Sequence, residues 1–280
     1  MIGLLALLTP QLVNRLPDLS GLPAYRVTSD SIVLNTPPRW VPPDLADQVF
    51  ESCGLSNSES LQDPTLSERI AAAFHTHPWV ARVVSVRKSF PSRIQVELEY
   101  REPVAMVKGV DGFYPIDCRG VLLPASDFSG ADVERFPLIE GVASVPDGRL
   151  GEPWGDPAVS GAAELAQFLN RAMPGSESRW KSLDLAAIQV PRHVALNEND
   201  AALEYQLRTQ GGSRILWGHA PSASLPHEVS AESRAQRLAD FHRDFGGFDD
   251  EHGPYEIDVR PWDGVGRSTI ARDARHSRLR

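Results

Sequence analysis

From residue 94 to residue 100, Ile94, Val96, Leu98 and Tyr100 alternate with Gln95, Glu97 and Glu99. A period of two puts the apolar set on one face of an extended chain and the polar set on the other, so the segment reads as a half-buried antiparallel strand that needs apolar cover. Residues 81–88 just upstream are valine-rich, and Ser89-Phe90-Pro91-Ser92 separates the two runs. Together they read as a β-hairpin. Its cover is predicted from the preceding segment, where Leu66, Ile70, Ala73, Phe74 and His77 fall at helical spacing. Asp63 is the candidate N-cap of that helix, with Pro64 at its first position and Pro78 closing it.

Upstream, residues 25–34 are strand-like. After a proline-rich loop, Leu45, Val49, Phe50 and Cys53 recur at helical spacing, with Gly54 as the stop. This pattern places Cys53 on an apolar face. The order over residues 25–101 is therefore strand, helix, helix, strand, strand. Beyond residue 103 the pattern changes to short strands at residues 104–107, 113–116, 121–123, 183–188, 203–207 and 214–218, separated by glycine-containing turns. A helix capped by Asp156 is expected to run to Pro174-Gly175, carrying Val159, Ala162, Ala166, Leu169 and Met173. Another carries Ala231, Ala235, Leu238, Phe241 and Phe245 and stops at Gly246-Gly247. The fold class is α+β: a β-α-α-β-β module followed by a mostly antiparallel β domain with flanking helices.

Chemistry is sparse. His75 and His77, two apart, point in different directions on a helix and cannot grip one ion from one face. Asp249-Asp250-Glu251-His252 lacks the alternation and closing glutamate of a calcium loop and reads as a solvated loop. No nucleophile elbow or phosphate-cradling glycine loop is present, so the reading is of a protein with no catalytic residue, cofactor or metal. The two cysteines, Cys53 and Cys118, have no metal spacing. A net charge of −9 argues against nucleic acid as partner. The stretch 267–280 holds five arginines and one aspartate and reads as a disordered basic tail. At the start, the apolar run 1–8 is shorter than the roughly 20 residues a membrane span needs. It reads as the end of a membrane helix, a signal-like core without a basic leader, or a short amphipathic segment.

The chain does offer edges. Residues 255–260 form a late strand of alternating character, and a terminal strand often has an unpaired backbone rim that accepts a segment of another protein. Tyr255, Ile257, Val259 and Arg260 are then candidate partner-binding residues, with Trp262 as an aromatic anchor. The alternative is that the strand pairs internally and Trp262 caps the core.

His77-Pro78-Trp79-Val80, Phe90-Pro91-Ser92 and Val96-Glu97-Leu98-Glu99-Tyr100-Arg101-Glu102-Pro103-Val104-Ala105 occur in that order. They are followed by Tyr114-Pro115-Ile116-Asp117-Cys118-Arg119-Gly120-Val121-Leu122 and, near the end, by Arg214 to Gly218 and Ile257-Asp258-Val259-Arg260. This succession resembles the FtsQ/DivIB family of bacterial cell-division proteins. The resemblance implies a POTRA domain over residues 25–104 and an FtsQ-like β domain over 105–262, after a membrane-proximal apolar segment over 1–24; the basic, disordered tail over 263–280 is read from its composition alone and has no counterpart in the resemblance. It implies a non-enzymatic divisome scaffold, anchored in the inner membrane with its bulk on the periplasmic side. Expected partners are FtsB/DivIC-like and FtsL-like coiled-coil membrane proteins, bound in part through the last strands. Pro261 stands where an aromatic often sits in the family, and Trp262 supplies one a position later. The alternative is a POTRA-bearing component of an envelope assembly or secretion system.

Overall fold

The computed structural model describes residues 22–55, 59–171, 177–191, 203–223 and 225–270. The apolar run 1–8, Met173 to Gly175 and residues 271–280 lie outside the described residues. The chain divides into two units, residues 1–100 and 101–280.

In the first unit the strands are β1 (Arg26–Val27), β2 (Ile32–Leu34), β3 (Glu59–Ser60), β4 (Val80–Ser89) and β5 (Arg93–Tyr100), with helices α1 (Leu45–Ser52) and α2 (Leu66–His75). The hairpin β4–β5 is antiparallel, and β2 adds to β5 in parallel with Ile32 beside Ile94. Ile94, Val96 and Leu98 are buried while Gln95, Glu97 and Glu99 are exposed, as the alternation requires. Leu45, Val49 and Phe50 of α1 and Leu66, Ile70, Ala73 and Phe74 of α2 bury with them. Each fully covered apolar side chain of this kind contributes about 1.5–3 kcal/mol.

Four local expectations change. The strand expected over 25–34 is broken by a 3-10 turn, Ser29–Ser31, closed by reciprocal Thr28 and Ser31 side-chain bonds. Helix α2 begins at Leu66 rather than Pro64, because the Asp63 carboxylate accepts Thr65 N at 2.8 Å and Thr65 Oγ1 at 2.8 Å, holding a turn before the helix. His77 lies beyond the helix end, its Nε2 3.2 Å from Gln48 Oε1. Cys53 follows α1 and is exposed, so the stripe placing it in the core ends one turn early; it and Cys118 are free thiols.

The second unit is built on β6 (Pro103–Lys108), β7 (Phe113–Asp117), β8 (Leu138–Glu140), β9 (Leu185–Gln189), β10 (Tyr205–Thr209), β11 (Arg214–Gly218), β12 (Tyr255–Asp258) and β13 (Gly266–Thr269). These form one sheet in the order β13-β12-β11-β10-β9-β8-β6-β7. Among the described residues four of its pairings are antiparallel and three parallel. Its helices are α3 (Gly130–Val133), α4 (Pro157–Asn170), α5 (Arg179–Ser182) and α6 (Ala231–Phe245). Asp156 caps α4 by accepting Ala158 N, and α4 ends at Asn170, four residues short of the expected proline stop. Ala158, Val159, Ala162, Ala163, Leu165, Ala166 and Leu169 of α4 enter the core with Trp217, Tyr205, Ile188 and Leu238. Gly161 brings α4 so close to the sheet that a Cβ there would sit 2.2 Å from Tyr205 Oη. Phe245, expected on the buried stripe of α6, is 62% exposed at the helix end.

Candidate interaction edge

The two ends of the large sheet differ. At the β7 end, residues 121–123 fold back along the outer rim: Ile116 bridges Leu122, and Leu123 N donates to Pro115 O at 2.9 Å. Asp117 holds this corner, accepting Arg119 N and Val121 N on one oxygen and the Arg101 guanidinium on the other. At the other end β13 is last, and all four of its residues are exposed.

This corrects the expectation that residues 255–260 are the rim. Strand β12 lies between β11, with which it is parallel, and β13, with which it is antiparallel. Its backbone is used on both sides. Ile257 and Val259 are fully buried and Tyr255 is 6% exposed, so these three are core residues. Of the five candidates, Arg260 and Trp262 remain in reach of solvent. Arg260 grips Asp258 through two nitrogens at 2.9 Å and reaches Glu204 Oε2 at 2.7 Å. These bonds raise the Arg260 pKa and lower that of Asp258. Trp262 is 67% exposed, with its indole N–H on His227 O at 2.6 Å. Arg237 of α6 donates to the carbonyls of Val259, Pro261 and Trp262, fixing the turn out of β12.

Residues 266–269, expected as part of the basic tail, are strand. Ile270 N donates to Pro254 O at 2.9 Å, and the register pairs Ser268 with Glu256 and Gly266 with Asp258. Antiparallel alternation then directs the amides of residues 266, 268 and 270 at β12 and those of Arg267 and Thr269 outward. The Arg267 side chain turns inward, 3.7 Å from the Tyr255 ring centroid and 5.5 Å from that of Phe245, and reaches Asp250 Oδ2 at 2.8 Å. Asp250 also accepts Tyr255 Oη at 2.6 Å and His252 N at 2.8 Å. The tyrosine hydroxyl above all, with the His252 amide and Arg267, outweighs desolvation and holds its carboxyl down at about 2.

Neighbouring Asp249 serves β10 and β11, accepting Thr209 Oγ1, Gly211 N and Ser213 N. Burial would raise its pKa, but bonds from Ser213 and Thr209 outweigh that and leave it lowered. Asp249 and Asp250, expected as a solvated loop, are therefore braces for this end of the sheet. Arg237 and Arg267 were missed because their partners lie far away in sequence, and Asp250 because its bonds to nearby His252 and Tyr255 leave no periodic pattern. Beside the rim, a depression of about 600 Å³ opens on the polar face, lined by Gln206, Arg208, Arg214, Pro254 and Ile270. Among the described residues no group of three or more His, Cys, Asp or Glu is placed to hold a metal ion. No helix among them is long and apolar enough to cross a membrane.

Two curated proteins, each named Cell division protein FtsQ, match the chain. One, from Anaeromyxobacter sp. (strain K), is 34% identical over 122 residues, covering 43% of this chain and 36% of that protein. The other, from Corynebacterium glutamicum, is 38% identical over 76 residues, covering 26% and 32%. The chain resembles the FtsQ family. The matched stretches span about a third of each relative's length. No protein-family model matches the chain. In this FtsQ-like chain the Asp117-Cys118-Arg119-Gly120 step is the braced corner at the β7 end, and Ile257-Asp258-Val259-Arg260 is the penultimate strand with its exit.

Proposed function

We propose that this chain is the extracytoplasmic part of a non-enzymatic cell-division scaffold, held at the inner membrane by an N-terminal segment. In this reading the first unit is a POTRA domain. The second offers the outer rim of β13 to an extended segment of a small coiled-coil membrane protein of the FtsB/DivIC or FtsL kind. The observation that carries the reading is the asymmetry of the large sheet: one end is folded over by its own chain, while the outward amides of Arg267 and Thr269 have no partner strand among the described residues. An added strand would gain affinity from those backbone groups and selectivity from side chains next to Trp262 and the polar face. The similarity to two proteins named for cell division supplies the process.

The test is Thr269→Pro, which deletes one outward donor and leaves the β12-facing amides intact. The variant should keep its melting temperature within about 2 °C, since proline is tolerated on an edge strand where the N–H it removes faces solvent. It should lose capture of the coiled-coil partner in pull-down. Undiminished capture by the folded variant overturns the strand-addition reading.

A further inference from the structure

We propose that the β4–β5 hairpin tip of the first unit, together with residues 22–26, is a contact site for an anionic lipid bilayer. The claim adds to the membrane-anchored part of the function proposed above and is independent of its strand-edge part. Phe90 at the tip is 65% exposed and Leu22 is 47% exposed, and the Tyr25 ring lies 5.4 Å from that of Phe90. The two segments are tied together: Ser92 N donates to Ala24 O at 2.9 Å and Ser92 Oγ to Pro23 O at 3.1 Å.

Charge marks the occupant. Residues 22–29 and 85–95 contain Arg26, Arg87, Lys88 and Arg93 and no Asp or Glu, in a chain whose net charge is −9. All four cations are exposed. Arg87 and Arg93 lie on the sheet face away from the helices, Arg87 paired with Gln95 and Arg93 with Ser89, and neither has an ion-pair partner among the described residues. Lys88 is on the other face, its ammonium on Asp63 O at 2.7 Å. An aromatic and a leucine ringed by cations match a bilayer interface, where the rings sit at headgroup level and arginines meet lipid phosphates. The chain enters the described structure at Leu22, inside the same patch, and the apolar run 1–8 precedes it in sequence.

The experiment sediments the full chain with phosphatidylcholine vesicles, with and without phosphatidylglycerol. Leu4, Leu5, Leu7 and Leu8 are changed to Ser so that the apolar run does not mask the tip. This background should bind the anionic vesicles and not the neutral ones. Adding Arg87→Gln with Arg93→Gln should weaken binding roughly 25-fold, and Phe90→Ser roughly tenfold, with the far-ultraviolet spectrum unchanged. Absence of binding, or equal binding by folded tip variants, overturns the proposal. The anchoring reading is tested separately, by whether the unmodified chain binds neutral vesicles and the four-Ser chain does not. As a local readout, p-benzoylphenylalanine in place of Phe90 is irradiated in membranes from producing cells. A lipid adduct supports the bilayer contact; an adduct to protein alone overturns it in favour of a docking surface.

Discussion

Replacing Ile257 by alanine separates a core side chain from a solvent-facing one offered to a partner. Ile257 is fully buried, pairs with Ile215 on one side and Arg267 on the other, and belongs to the core shared by α4, α6 and the sheet. Removing most of a fully covered isoleucine side chain loses its transfer free energy and leaves a cavity that close packing fills only in part. The expected cost is about 2–5 kcal/mol, centred near 3. For a unit of this size each kcal/mol lowers the midpoint by about 2–4 °C, so thermal unfolding should shift down by roughly 6–12 °C. On an unpaired, solvent-facing rim the same change would cost under about 0.5 kcal/mol and move the midpoint by about 2 °C at most. Differential scanning fluorimetry or circular dichroism resolves the two. A midpoint within about 2 °C of the parent would refute the burial of the Ile257 side chain in the core. It follows that placing a charge at the buried Ile257 or Val259 reports on folding before it reports on any partner, which makes Thr269 the position at which to test binding.

Gly161→Ala should destabilise the second unit by about 1–3 kcal/mol, because its new methyl would collide with the hydroxyl of Tyr205, a ring only 2% exposed; the midpoint in urea measures it, and an unchanged midpoint would show that the helix does not approach the sheet so closely. For Asp250, a carboxyl near 2 in the fold against about 3.9 in an unfolded chain means its bonds to Tyr255 and Arg267 stabilise fully above about pH 5 and are lost as pH falls through about 2. Amide exchange at residues 266–270 should therefore quicken below about pH 4 in the parent chain relative to global unfolding. Asp250→Asn should flatten that dependence, and a parent and variant with equal pH profiles would contradict the brace.

Much of the architecture was legible because it follows from local periodicity. The alternation Ile94 to Tyr100 dictates a half-buried strand whatever surrounds it. Asp156 before Pro157, and the apolar stripe ending at Gly246, delimit α4 and α6 with chemistry confined to a few neighbouring residues. The edge was not legible in this way. Gly266-Arg267-Ser268-Thr269 has no apolar alternation, and its side chains read as part of a basic tail. It is a strand only because β12 presents a row of backbone groups and Arg267 finds Tyr255, Phe245 and Asp250 waiting. Likewise Asp249 and Asp250 read as solvated until residues some 40 positions upstream fold against the first of them. Side-chain periodicity along the chain settles which face of an element is apolar. Which strand ends a sheet depends on backbone pairing between distant segments, and that pairing leaves little mark on composition or spacing.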